Sequence, residues 1–174
     1  AVFPRNLANL PVLRRRLAAY ADMELWRGIH PWWRDEVLSK IWGAFLHHEY
    51  GVFNSLSSTA RDALSDVIRA AVSTSAFDKL DNAQMIQMEK LFLAKLMPEG
   101  FNPDIEHAKN FWLTSPLFAP ALNLVEEVWS EVPDHCEILF AMFVIHDPLY
   151  GVFVRNEFME RTCGFFGDTL THLF

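Results

Sequence analysis

This sequence of 174 residues has only two cysteines, Cys136 and Cys163. That number and spacing supply neither a disulfide framework nor a paired metal knuckle. Glycine is also scarce, at 7 residues beside 9 prolines. There is no Gly-x-Ser-x-Gly elbow, no phosphate loop and no dinucleotide fingerprint, which removes the common hydrolase and nucleotide-binding readings. Basic residues are few. Lys and Arg total 15 against 22 Asp and Glu, for a net charge of −7, and the basic cluster is Arg14-Arg15-Arg16 alone. Such a balance excludes nucleic acid as the main partner. Long apolar runs are missing too. The best candidate, residues 138–145, is too short to cross a bilayer. The opening Ala-Val-Phe-Pro carries no signal-peptide pattern, and a cytoplasmic location is expected. With that opening and a close at Leu173-Phe174, the sequence is expected to be a fragment of a longer protein.

Large apolar side chains are what the sequence has in excess. Hydrophobic residues make up 51% and aromatics 14%, including 15 Phe and 6 Trp. That is more apolar surface than a domain of this size usually hides, and it predicts an obligate interface as well as a core. Tryptophan suits an interface anchor because it combines large area with few rotamers. Trp26, Trp32, Trp33 and Trp42 crowd one region, and Trp32, Trp33 and Trp42 are the expected subunit contacts.

Helical periodicity dominates between the Pro and Gly stops. It predicts helices over residues 7–29, 32–53, 59–74, 79–96, 102–114, 116–130, 133–146 and from 148 to about 164–167. Pro11 is expected in a first turn. Asn54 to Ser58 is expected to kink or break the second helix, because Asn and Ser compete for backbone hydrogen bonds. Asn102 is expected to cap the fifth helix, with Pro103 in its first position. The result is an all-α bundle of seven or eight antiparallel helices, a single domain over residues 1–174.

A carboxylate-bridged metal pair in such a bundle needs two Glu-x-x-His motifs plus two further carboxylates. Residues i and i+3 share a helix face, so both can reach one metal pair. No Glu here has His three places later. Asp104-x-x-His107 has the spacing but stands alone, and a capping role explains Asp104 more simply. His47-His48-Glu49-Tyr50 looks like ligand material, yet adjacent histidines point to different faces. A buried polar cluster is the expected role. Cys136, beside His135, is expected to be a buried structural thiol. No catalytic, metal-binding or cofactor-binding residue is assigned. A stand-alone metal oxidase would have to draw on Asp104, His107, Glu126, Glu137 and His146, and a generic helical interaction module would need none of them.

The order of pieces toward the C-terminus carries further information. Trp112 is followed by a polar-Pro turn and by Val125-Glu126-Glu127. An acidic break leads to Glu137, then to His146-Asp147-Pro148-Leu149-Tyr150 and to Gly167-Asp168-Thr169-Leu170-Thr171. Further back stand Phe77-Asp78-Lys79-Leu80, Ala83-Gln84-Met85-Ile86 and Glu89. From about residue 38 onward this resembles the beta subunit of the hydroxylase of bacterial multicomponent monooxygenases, the soluble di-iron family. The resemblance implies a ferritin-like helical bundle that holds no metal, with the di-iron centre in a partner alpha subunit. It further implies a scaffold role in a hydroxylase acting on an alkane, alkene or aromatic hydrocarbon with O2 and NADH-derived electrons. Its partners would be the alpha chain, a gamma chain, a second protomer, a regulatory protein and a reductase.

Overall fold

A computed structural model describes residues 2–24, 27, 29–97, 101–132 and 134–159. Among them every regular element is helical and no strand occurs. The chain gathers into two compact units. One joins Ala1–Gly28 to Cys136–Phe174, and the other is Ile29–His135.

In the first unit, α1 spans Val2–Asp22. Pro11 lies well inside it rather than in the first turn. The helix ends before Glu24, whose φ of 54° lies in the left-handed region that a non-glycine residue seldom enters. The helix therefore stops about two turns before the expected end near residue 29. From Cys136 onward this unit also takes in α7, His135–Phe140, which continues as a wide π-helical stretch, Ala141–Met159. Pro148 sits within that stretch and does not open a new helix. The sequence-based helix boundaries near residues 164–167, together with Trp26 and Cys163, lie outside the described residues.

The second unit is built on two long helices. A π-helical segment, Trp33–Ile41, runs directly into α2, Trp42–Asp62. Asn54 to Ser58 causes no break, contrary to expectation. The hydroxyls of Ser55, Ser58 and Thr59 each donate to the carbonyl four residues earlier, so they are satisfied on their own helix. This back-bonding is the helical alternative open to Ser and Thr. The break comes at Ala63 to Ser65, after which α3 spans Asp66–Leu96 in one piece of 31 residues. It merges two helices expected separately.

Short elements then close on this pair. α4, Ile105–Thr114, is capped by Asp104, whose carboxylate accepts from the Glu106 N–H at 3.1 Å. Asn102 is not the cap; its side-chain oxygen accepts from the Asp104 N–H instead. α5 (Ala119–Asn123), a wide turn (Leu124–Val128) and α6 (Trp129–Glu131) form one continuous helical run.

α2 packs most extensively on α3, and α4 lies against α2. Two glycines of α2 permit close approach. At Gly43 an added Cβ would lie 2.6 Å from Lys90 Nζ and 2.9 Å from Ala108 Cβ of α4. At Gly51 it would collide with Val125 Cγ1. Aromatic rings fill the space between. Phe45 meets Phe118 edge-on at 5.6 Å, Phe118 meets Trp112 at 5.4 Å, and His48 meets Trp112 at 5.7 Å. Such tilted and edge-to-face pairs are the arrangements favoured by ring quadrupoles.

Candidate functional site

The candidate metal ligands do not form a site. Asp104 is used as a helix cap. His107 is half-buried, and Glu126 and Glu137 are exposed. His146 is buried and stacks on Tyr150 at 5.0 Å, with Nδ1 3.6 Å from Asp147 Oδ1. Among the described residues, one group of three metal-ligating side chains has donor atoms within 4.8 Å of one another: Asp134, His135 and Cys136. Its members are consecutive in sequence, and none belongs to the candidate set. Cys136 is exposed, which corrects the expectation of a buried thiol. It stands in the first turn of α7.

Polar residues buried between α2 and α3 form two rungs. In the first, Trp42 Nε1–H donates to Glu89 Oε2 at 2.9 Å. In the second, about two helical turns away on both helices, Asn82 Nδ2–H donates to Glu49 Oε2 at 3.1 Å. Lys79 Nζ stands 3.8 Å from the same oxygen. The equal step along two antiparallel helices means both rungs share one register. Glu49 is therefore part of a buried polar cluster, whereas His48 is buried against the rings of Phe45 and Trp112 and Tyr50 is exposed. His47 is held below its usual pKa by burial, against an opposing backbone hydrogen bond at Ile105.

Sequence reasoning named Glu89 only as part of a pattern and did not single out Lys90. Lys90 is fully buried, and its Nζ makes a long contact of 3.5 Å to the Asp104 carbonyl. Burial pushes its pKa down to about 8, with Asp104 opposing. The available signal was position. Residues 79, 82, 83, 86, 89, 90 and 93 trace one face of α3, and a Lys on that face must reach a partner or lose its charge.

The expected anchors divide. Trp42 is 1% exposed and belongs to the chain's own core, where Glu89 engages its indole N–H. It is withdrawn from the set of contact residues. Trp32 is 53% exposed and Trp33 half-buried, and their rings meet edge-on at 5.9 Å. A second aromatic group lies where α2 and α3 run side by side. Tyr50 meets Phe53 at 5.8 Å, and Phe53 meets Phe77 at 6.4 Å. Tyr50 and Phe77 are exposed, as are Leu64, Val67 and Ile68 near the turn. In the other unit, Phe140, Phe143, Val144, Ile145 and Leu149 are exposed. Exposed apolar area on this scale marks interaction surface.

Residues 12–174 match the family described as Methane/Phenol/Alkene Hydroxylase. The chain belongs to this family. Its all-α architecture accords with the ferritin-like helical class expected from the resemblance. Individual relatives are similar over most of the chain. The methane monooxygenase component A beta chain of Methylosinus trichosporium is 48% identical over 161 residues, covering 92% of this chain and 41% of the relative. The corresponding beta chain of Methylococcus capsulatus (Bath) is 44% identical over 160 residues, covering 92% and 41%. The small subunit of the propane 2-monooxygenase hydroxylase component from Rhodococcus jostii is 29% identical over 135 residues, covering 77% and 36%. The chain thus spans about two-fifths of the length of the curated relatives it matches. Among the described residues no helix is long and apolar enough to cross a membrane.

Proposed function

We propose that this chain is part of a non-catalytic beta subunit in the hydroxylase of a multicomponent di-iron monooxygenase. The observation that carries the reading is its 48% identity, over 92% of its length, to a methane monooxygenase beta chain. The structure adds support from the other direction. Among the described residues the candidate ligands do not fit a di-iron centre: Asp104 caps a helix, His107 is half-buried, Glu126 and Glu137 face solvent, and His146 stacks on Tyr150. No chemical step is assigned to them.

In this reading the two irons reside in a larger alpha chain, which activates O2 and hydroxylates a hydrocarbon in the cytoplasm. A gamma chain, a second protomer, a regulatory protein and an NADH-linked reductase complete the system. In this reading the two compact units together belong to one helical domain of a longer beta chain. Its task is to hold the alpha chain through exposed apolar faces, with Trp32 and Trp33 as anchors. Obligate interfaces resemble a core cut open, and the exposed aromatics here have that character.

Purification of the full-length protein from its host tests this. A stoichiometric larger chain carrying two irons per protomer is the expected companion. Recovery of the protein alone, with iron bound to its own residues, would overturn the reading.

A further inference from the structure

Glu89 occupies an unusual position for an acid. It is 1% exposed, and it lies between α2 and α3. Its partner is the Trp42 indole N–H, on Oε2. Oε1 is buried and accepts from no group among the described residues. The charged and titratable groups on the surrounding elements are directed elsewhere. On α3, Lys90 reaches the Asp104 carbonyl and Lys79 approaches Glu49. On α2, His47 is held at Ile105, His48 lies between Phe45 and Trp112, and Glu49 takes Asn82. On α4, Asp104 caps its own helix and Glu106 pairs with Lys109. In the π-helical segment, Arg34 pairs with Asp35 and Lys40 with Glu36.

We propose that Glu89 is a neutral carboxylic acid in the folded chain, and that loss of its proton is a pH-sensitive release built into the α2–α3 pair. A buried carboxylate needs a cation or several donors, and one indole hydrogen bond returns far less than the desolvation of a full charge costs. The protonated acid fits the site, because Oε2 accepts from Trp42 and the uncharged group tolerates the apolar surroundings. Burial accordingly raises the carboxyl well above its usual range, and the Trp42 hydrogen bond opposes this only in part. The sign follows from linkage. Above the ordinary glutamate range the unfolded chain loses this proton while the folded chain keeps it. Stability from this group therefore falls as pH rises toward the folded value.

The test is made on the full-length protein in its native assembly. Glu89→Gln keeps the shape and removes the titration. From mildly acid to alkaline pH, its unfolding midpoint is expected to rise steadily relative to wild type. A variant that is less stable than wild type at every pH by a constant amount would overturn the proposal. Infrared spectra of wild-type protein with isotope-labelled glutamate give a second reading that does not depend on the variant folding. A protonated-carboxyl band should persist at neutral pH and vanish in Glu89→Gln. Its absence from wild type, or its survival in the variant, would equally overturn the proposal.

Discussion

Trp42 and Glu89 hold each other inside the chain: the indole N–H of α2 donates to the carboxyl of α3 at 2.9 Å, with both side chains buried. Neither residue can serve a partner surface while this bond stands. Trp42→Phe keeps most of the ring and deletes the donor, leaving a buried acid without a hydrogen bond. The expected loss is about 1–3 kcal/mol of unfolding free energy. Chemical denaturation would check it, and an unchanged midpoint would show that the bond contributes nothing. Trp42→Ala also opens a cavity and should cost roughly 3–5 kcal/mol.

Gly43 faces Lys90 Nζ and Ala108 Cβ so closely that Gly43→Ala forces a shift. The lysine tip can swing away, but Ala108 moves only with α4. Overpacking of this kind costs about 1–3 kcal/mol. Adding Lys90→Met should recover only the lysine share, giving a non-additive cycle. Full additivity in thermal unfolding would show that the two residues do not compete for space.

Lys90 carries a pH signature opposite to that of Glu89. Its folded pKa is about 8 against the ordinary 10.5. Between those values the unfolded chain binds more protons than the folded chain, so stability from this group rises with pH. The span corresponds to on the order of 3 kcal/mol. Below about pH 8 the charged, buried lysine is a cost. Lys90→Met should therefore be more stable than wild type at neutral pH, with the advantage shrinking by pH 10.5. Unfolding midpoints across that range decide it, and a gap independent of pH would refute the assignment.

Asp104 both caps α4 and offers its carbonyl to Lys90. The cap and the charge that favours a protonated Lys90 depend on the side chain, and the carbonyl contact does not. Asp104→Ala should lose about 1 kcal/mol, and Asp104→Asn should lose much less, because Asn caps equally well. Equal losses in the two variants would point away from capping.

Trp32 and Trp33 are the anchors proposed for a partner surface, Trp32 being exposed and Trp33 half-buried. Trp32→Ala should weaken assembly with the larger chain by at least ~2 kcal/mol if it is a true anchor. Turnover per assembled complex should not change. Loss of turnover in an intact assembly would contradict a scaffold role. Titration of the subunits, followed by activity per complex, separates the two outcomes.

The sequence by itself determined the all-helical character and the family, because helical periodicity is local and the family pattern is a matter of order along the chain. It also determined that no Glu-x-x-His pair could form, since that spacing lies within one helix. Its reading of the local stops was weaker. Asn54 to Ser58 stays helical because the Ser55 and Ser58 hydroxyls find carbonyls one turn back, and the composition of the stretch does not reveal that choice. Tertiary structure alone decided which tryptophan is core and which is surface. Trp32, Trp33 and Trp42 are alike as letters, but Trp42 lies on the face of α2 that meets α3, opposite Glu89 far along the chain. The same pairing decided the states of Glu89 and Lys90. These neighbours in sequence point to different helices, one to Trp42 and one to Asp104, and burial acts on each through whatever lies opposite. Contacts between residues distant in sequence carry that information, and no local pattern contains it.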